Sequence, residues 1–212
     1  MVLVLSGIGK VAAATTASLL IERFGVGEIL FTGVAGALGS DVQVGDIVVA
    51  NQFMQHDMDA SPLFPRYEIP GYRTATLPAD DRLTQELMSA CHQMLTQLPS
   101  QLEHDVLTSF KLHAPRLHQG LIVSGDHFVS TAFESRQLQK DLPEALAVEM
   151  ECAAFAQVCH DYGVPFAAVR TLSDRADDGA TLDFTRFLAE VASHYSAQIV
   201  DNWLRERSHQ TS

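Results

Sequence analysis

The sequence predicts an α/β fold built on a mostly parallel, helix-covered sheet. Short apolar runs alternate with stretches of helical composition along nearly the whole chain, and such alternation packs as a sheet with helices on its faces. In addition, two of the apolar runs end abruptly in charge. Residues 165–169 lead into Arg170, Ser173, Asp174 and Asp177, and residues 145–148 lead into Glu149-Met150-Glu151. Charges beside a core must be paired or hydrated, and in open α/β sheets ligands bind beyond the carboxyl ends of the strands. A surface loop with an Arg–Asp pair would be the plain explanation of either cluster alone. Two strand ends delivering carboxylates to one face favour a site.

A chain of 212 residues is long enough for one substantial core and nothing demands a second, so residues 1–212 read as a single domain. With 14 basic against 26 acidic residues the formal net charge is −12, which repels phosphate backbones and anionic membranes and disfavours nucleic-acid and lipid partners. The cysteines, Cys91, Cys152 and Cys159, form no Cys-x-x-Cys pair and no even-numbered framework. Core thiols in a reducing, cytoplasmic setting are expected. The apolar start, residues 1–5, has no basic lead and is not a signal peptide, and no apolar stretch approaches the ~20 residues of a membrane helix.

Residues 2–5 predict a buried strand that breaks at Ser6-Gly7-Ile8-Gly9-Lys10, and residues 11–24 predict a helix; together they are half of a βαβ unit. Gly7-x-Gly9-x-x-Ala12 comes near a dinucleotide fingerprint. Glu28, however, precedes the next strand instead of ending it, which is the wrong place to grip a ribose hydroxyl. A phosphate loop ending at Lys10 would need a glycine where Val4 stands. These glycines serve a close approach of backbone to a ligand or a helix.

Gly25-Val26-Gly27 stops the first helix. Residues 29–32 predict a second strand, which runs into a turn of small residues, 33–40, suited equally to backbone–ligand approach and to tight packing. Residues 47–50 predict a third strand. The segment 51–81 reads as a long irregular loop, and such loops are usually functional. Its His56, Asp57 and Asp59 have the donor types of a metal site, but no further histidine cluster supports them, so hydrogen-bonding or surface roles are expected. Leu63, Phe64 and Tyr67 suggest an apolar wall for a pocket or a subunit contact. An amphipathic helix follows over 83–98, then a second helix or insertion loop over 99–115, a fourth strand over 118–123, a short helix over 133–140 and a fifth strand over 146–148. A buried helix over 152–162, closed by Gly163, precedes the strand that ends in charge, and a long helix over 184–205 closes the chain.

Five stretches, taken in order, carry a resemblance. They are Ser6-Gly7-Ile8-Gly9-Lys10-Val11; residues 32–37 with Val44-Gly45-Asp46 and residues 47–49; residues 120–126, ending in Ser124-Gly125-Asp126; Ala147-Val148-Glu149-Met150-Glu151; and residues 170–177. Together they span nearly the whole chain, and it resembles the bacterial 5′-methylthioadenosine/S-adenosylhomocysteine nucleosidases of the nucleoside phosphorylase superfamily. The resemblance implies a three-layer α/β/α fold with a twisted mixed sheet, mostly parallel, usually as a homodimer. It also implies hydrolysis of the N-glycosidic bond of an adenine nucleoside in methionine salvage, with no metal and no organic cofactor.

Such cleavage passes through an oxocarbenium-like sugar, so the departing adenine must be neutralised and the ribose held. By resemblance Asp174 is the general acid toward adenine, which requires a proton at neutral pH and hence a pKa raised by burial or neighbouring acids. Glu151 accepts from the ribose hydroxyls and Met150 lies against the sugar. Phe128 stacks on adenine and the backbone of Val129 reads its edge. Gly36 lines the sugar and water site, Ile8 and Phe184 form the wall, Ser173 accompanies Asp174, and Arg170 orients the carboxylates. The plain alternatives are a helix N-terminal charge for Glu151 and core packing for Phe128 and Val129. Phe64 and its neighbours replace the family's usual segment at the 5′ end of the substrate, which predicts hydrophobic 5′-thio recognition with residues lent across a dimer interface.

The chain departs from the family at Val34, where a serine is usual, and at Ala37, where a glycine is usual. The family also begins with another strand and a loop whose glutamate activates the attacking water, and no residue between Met1 and Ser6 can replace that base. A chain cut short, or a start placed too late, is the expectation, with an unpaired sheet edge as its consequence. Two rival readings remain: a purine nucleoside phosphorylase, and a catalytically silent nucleoside-binding protein.

Overall fold

The structure, a computed structural model, describes residues 1–98, 103–110, 112, 114–175 and 184–210. Asp177 and part of the 99–115 segment lie outside the described residues. In chain order the elements are α1 (Lys10–Phe24), β1 (Ile29–Ala37), β2 (Ile47–Gln55), β3 (Thr76–Pro78), α2 (Asp81–Gln97), α3 (His104–Ser109), β4 (Leu117–Ser124), α4 (Ala132–Asp141), β5 (Ala145–Glu149), α5 (Cys152–Tyr162), β6 (Phe166–Asp174) and α6 (Phe184–Phe187). A π-helical turn, Leu188–Ala192, then leads into α7 (Ser193–Gln210).

The strands are buried on both faces, and the period-2 geometry of a strand sorts their side chains between two cores. β2 sends Val48 and Ala50 to one face and Ile47 and Val49 to the other, and β6 likewise divides Phe166, Ala168 and Leu172 from Ala167 and Val169. The first core is covered by α1 through Ala13, Ala17 and Leu20 and by α5 through Phe155 and Cys159. The second is covered by α2 through Leu83, Leu87 and Met94 and by α7 through Tyr195 and Ile199. The result is helix, sheet, helix. Helix ends follow local chemistry: Gly25 and Gly163 close α1 and α5 in the left-handed region at φ 60° and 65°, and the Asp80 carboxylate caps α2 by accepting the Leu83 N–H at 2.9 Å.

The sheet is mixed, in the order β3-β2-β4-β5-β1-β6, and β6 also pairs with β2, so the sheet curls back on itself. The parallel pairs β1–β6, β2–β4 and β4–β5 have the longest registers, and β1–β5, β2–β3 and β2–β6 are shorter antiparallel contacts. One position decides where ligands can go. Gly36 is opposite Val148 of β5 and also opposite Asp174 of β6, with a register shift at Ala35/Gly36 that skips Ser173. This bulge gathers the C-terminal ends of β1, β5 and β6 at one point.

Several expectations need correction. Residues 2–5 form no strand; among the described residues no strand pairs with the segment, and Leu3 and Leu5 are 87 % and 95 % exposed. Local β composition is insufficient without a neighbour to complete the ladder. Conversely, residues 33–37 are not a turn but the second half of β1, and β6 continues through Arg170 to Asp174 instead of stopping before it. The 51–81 segment contains the end of β2 and all of β3. Pairing with strands distant in sequence holds these glycine-rich and polar stretches extended.

Candidate active site

A cavity of about 470 Å³ opens at the converged ends of β1, β5 and β6. Its polar lining comes from Glu149 and Glu151 after β5, Ser173 and Asp174 at the end of β6, and His127; its apolar lining includes Ile8, Val34, Phe128, Val129, Val148, Met150 and Phe184. An apolar wall with a few convergent carboxylates suits a ligand with a flat apolar body and hydroxyl groups.

Beneath the cavity a buried ion pair sets the geometry. Arg170 donates from Nη2 to Glu149 Oε2 at 2.8 Å, with the two side chains 2 % and 3 % exposed. A buried pair offsets its desolvation only with further hydrogen bonds; the Glu149 carboxylate has them, while Arg170 Nε has no hydrogen-bond partner among the described residues. Glu149 also accepts the N–H groups of Glu151 and Cys152, each at 3.0 Å, and a short bond from Ser124 Oγ. It thus caps α5, where the helix dipole favours a negative charge. The Arg170 guanidinium lies over the Phe31 ring, 4.2 Å from its centroid. The effect is to lock the turn that carries Met150 and Glu151.

Glu151 is held differently. It accepts the Gly9 N–H at 2.8 Å. Burial pushes its carboxyl above the ordinary glutamate value, the Gly9 bond opposes this, the Glu149 charge adds to it and Arg170 partly offsets it. Asp174 is 9 % exposed and accepts from Ser173 Oγ at 2.7 Å. On the opposite wall Phe128, 43 % exposed, meets Phe184 edge-on at 6.4 Å between centroids. A ring half free at a cavity wall offers a stacking surface. His127 pairs through Nε2 with Glu134 at 2.8 Å. Among the described residues no group of three or more His, Cys, Asp or Glu side chains is placed to hold a metal ion, and no helix is long and apolar enough to cross a membrane.

A family model described as the phosphorylase superfamily matches residues 1–205. The chain belongs to this superfamily. Among solved structures it is similar to the 5′-methylthioadenosine/S-adenosylhomocysteine nucleosidase of Neisseria meningitidis in complex with methylthio-immucillin-A, at 33 % identity over 95 % of this chain and 79 % of that one, with a TM-score of 0.80. The corresponding nucleosidase of Colwellia psychrerythraea, in complex with adenine, matches at 34 % identity over 94 % and 75 %, TM-score 0.78. The futalosine hydrolase of Helicobacter pylori matches equally well, at 33 % identity over 95 % and 77 %, TM-score 0.78.

Within this superfamily fold the expected site residues can be located one by one. Asp174, Glu151, Met150, Val129, Phe128, Gly36, Ile8, Ser173 and Phe184 all line the cavity. Arg170 does not; it lies behind the wall and acts on Glu149. Phe64 is not in the lining either, and sits half-buried on the loop between β2 and β3. Sequence reasoning left Glu149, Val34, Ala35, His127 and Val148 unassigned, although they too line the cavity. A signal for Glu149 was present: an acid at the last position of a buried strand must have a partner, and Arg170 stands near the end of another.

Proposed function

We propose that this chain hydrolyses the N-glycosidic bond of 5′-substituted adenine nucleosides, 5′-methylthioadenosine and S-adenosylhomocysteine, and releases adenine. One observation carries the reading: Glu151 and Asp174, from two different strand ends, line the same apolar cavity as the half-exposed Phe128 ring. Phe128 and Val129 receive the purine, Met150 and Ile8 pack on the sugar and its substituent, and Glu151 accepts from the ribose hydroxyls. As the C1′–N9 bond breaks, its electron pair goes to adenine and Asp174 donates a proton to the base. Water adds to C1′ and its proton passes to bulk solvent, from which Asp174 is reprotonated. The enzyme works in the cytoplasm as a homodimer, in methionine salvage, with no metal or organic cofactor.

The equal likeness to a futalosine hydrolase leaves a second reading for the 5′ substituent. Adenine release from methylthioadenosine, S-adenosylhomocysteine and a 5′-carboxylated analogue, each with and without phosphate, separates the cases. Turnover of the thio-substituted nucleosides in phosphate-free buffer supports the proposal; absolute dependence on phosphate would assign a phosphorylase instead, and saturable binding without turnover a silent binding protein. Unchanged selectivity among 5′-substituted adenosines in a Phe64→Ala variant would count against a pocket role for that ring.

A further inference from the structure

A ring of charged groups beside the cavity takes no part in the chemistry above. Lys10 opens α1, where a cation opposes the helix dipole, and the preceding Gly9 has no side chain with which to cap the helix. The caps come from distant segments. The Gly9 N–H donates to Glu151 Oε1 at 2.8 Å and the Lys10 N–H to Asp126 Oδ1 at 2.7 Å. Lys10 then folds its side chain back, so that Nζ donates to Asp57 Oδ1 at 2.7 Å and to Gln55 Oε1 at 3.0 Å. Asp57 Oδ2 in turn accepts the Asp126 N–H at 2.9 Å. The start of α1, the segment after β2 and the segment after β4 are thereby tied each to the other two.

The ring has little slack. Gly9 sits at φ 92°, and a Cβ there would lie 3.0 Å from Asp126 Oδ1. Beside it the buried His56 ring packs so closely on Gly125 that a Cβ at Gly125 would fall 2.4 Å from His56 Nε2. Partly exposed ion pairs such as Lys10–Asp57 add little to stability, so a lysine set against the helix dipole calls for another explanation. Its place in the ring supplies one: the adjacent Gly9 N–H is the donor to Glu151.

We propose that Lys10 and Asp57 are positioning residues, which hold the Gly9 N–H against Glu151 and so orient the carboxylate that receives the sugar hydroxyls. This rests on the function proposed above for Glu151. The groups facing Glu151 are the Gly9 amide from α1, Glu149 from β5, Arg170 and Asp174 from β6, and, behind the amide, Lys10, Asp57 and Asp126. Without the Lys10 charge Asp57 and Asp126 repel each other, the amide withdraws, and Glu151 keeps its desolvation while losing a donor to its charged form. Its ionisation then requires a higher pH.

The test uses the intact chain and the variants Lys10→Met, Asp57→Asn and Lys10→Arg. In hydrogen–deuterium exchange without ligand, amides of residues 8–13 should exchange about tenfold faster in Lys10→Met and Asp57→Asn than in the wild type. In kinetics both variants should lose about tenfold in kcat/KM, mostly through KM, and their acid limb should move about one unit to higher pH. Lys10→Arg should restore both readouts. Unchanged exchange together with an unchanged acid limb would overturn the proposal, as would a lowered melting temperature with kinetic constants intact. If the wild type releases no adenine, the proposed reaction fails, and the exchange arm alone decides whether the ring anchors Gly9.

Discussion

Two buried carboxylates sit at opposite ends of β4 and do different work. Asp46, 1 % exposed, lies beside the start of the strand and is consumed by its own neighbours: it accepts the Gln43 N–H at 3.1 Å and the Arg116 N–H at 2.8 Å, and pairs with His118 Nε2 at 2.8 Å. Glu149, 7 % exposed, lies beside the end of the strand and is satisfied as completely, by Arg170, Ser124 and the first amides of α5. The two differ in the residues that come next along the chain. Asp46 closes a structural knot, whereas Glu149 fixes a turn whose next residues, Met150 and Glu151, face a cavity. Buried charge is therefore not the mark of a site here; charge that positions less constrained neighbours at a strand's carboxyl end is.

This contrast can be broken by mutation. Glu149→Gln removes the hydrogen-bonded counter-charge of the buried Arg170 and should cost ~3–5 kcal/mol of stability, read as a large fall in the denaturant midpoint with adenine release abolished. Asp46→Asn should cost about 1–3 kcal/mol, and here the protein that remains folded should release adenine with wild-type kcat and KM. Equal losses of activity in the two variants would erase the distinction.

A finer test concerns pH. In the proposed reaction Glu151 must be ionised to accept from the sugar, and burial holds its pKa above the ordinary value. Below that pKa the acceptor is lost, so kcat/KM should climb with pH through an acid limb set above the ~4.3 of an unperturbed glutamate, and fall again where the proposed general acid gives up its proton. Glu151→Gln should remove that limb. The smallest effect is expected at Phe128→Ala: loss of one stacking face should raise the KM for methylthioadenosine roughly three- to tenfold at unchanged melting temperature.

Much of this was legible in the sequence because the signals were local. α5 was bounded by its apolar period and by Gly163, and α2 by its amphipathic spacing. The charged ends of β5 and β6 announced themselves by interrupting apolar runs. What the sequence hid depended on partners far along the chain. Nothing local tells that Gly33-Val34-Ala35-Gly36-Ala37 stays extended, since its conformation is imposed by β6 on one side and β5 on the other. Nor does composition reveal that residues 2–5, as β-prone as any strand here, pair with no strand among the described residues. Lys10, Asp57 and Asp126 each belong to a separate local motif, a near phosphate loop, a set of metal-donor types and the family stretch that ends in Asp126. Only the fold shows that they form one ring.

In the proposed reaction Asp174 delivers the proton to the leaving base from within a cavity that binds adenine without it. The most direct test compares wild type and Asp174→Asn for adenine release from methylthioadenosine in phosphate-free buffer, with adenine binding measured on the same samples. A loss of ~10²-fold or more in kcat is expected, with saturable adenine binding retained. Turnover within a few-fold of wild type in the variant would contradict it.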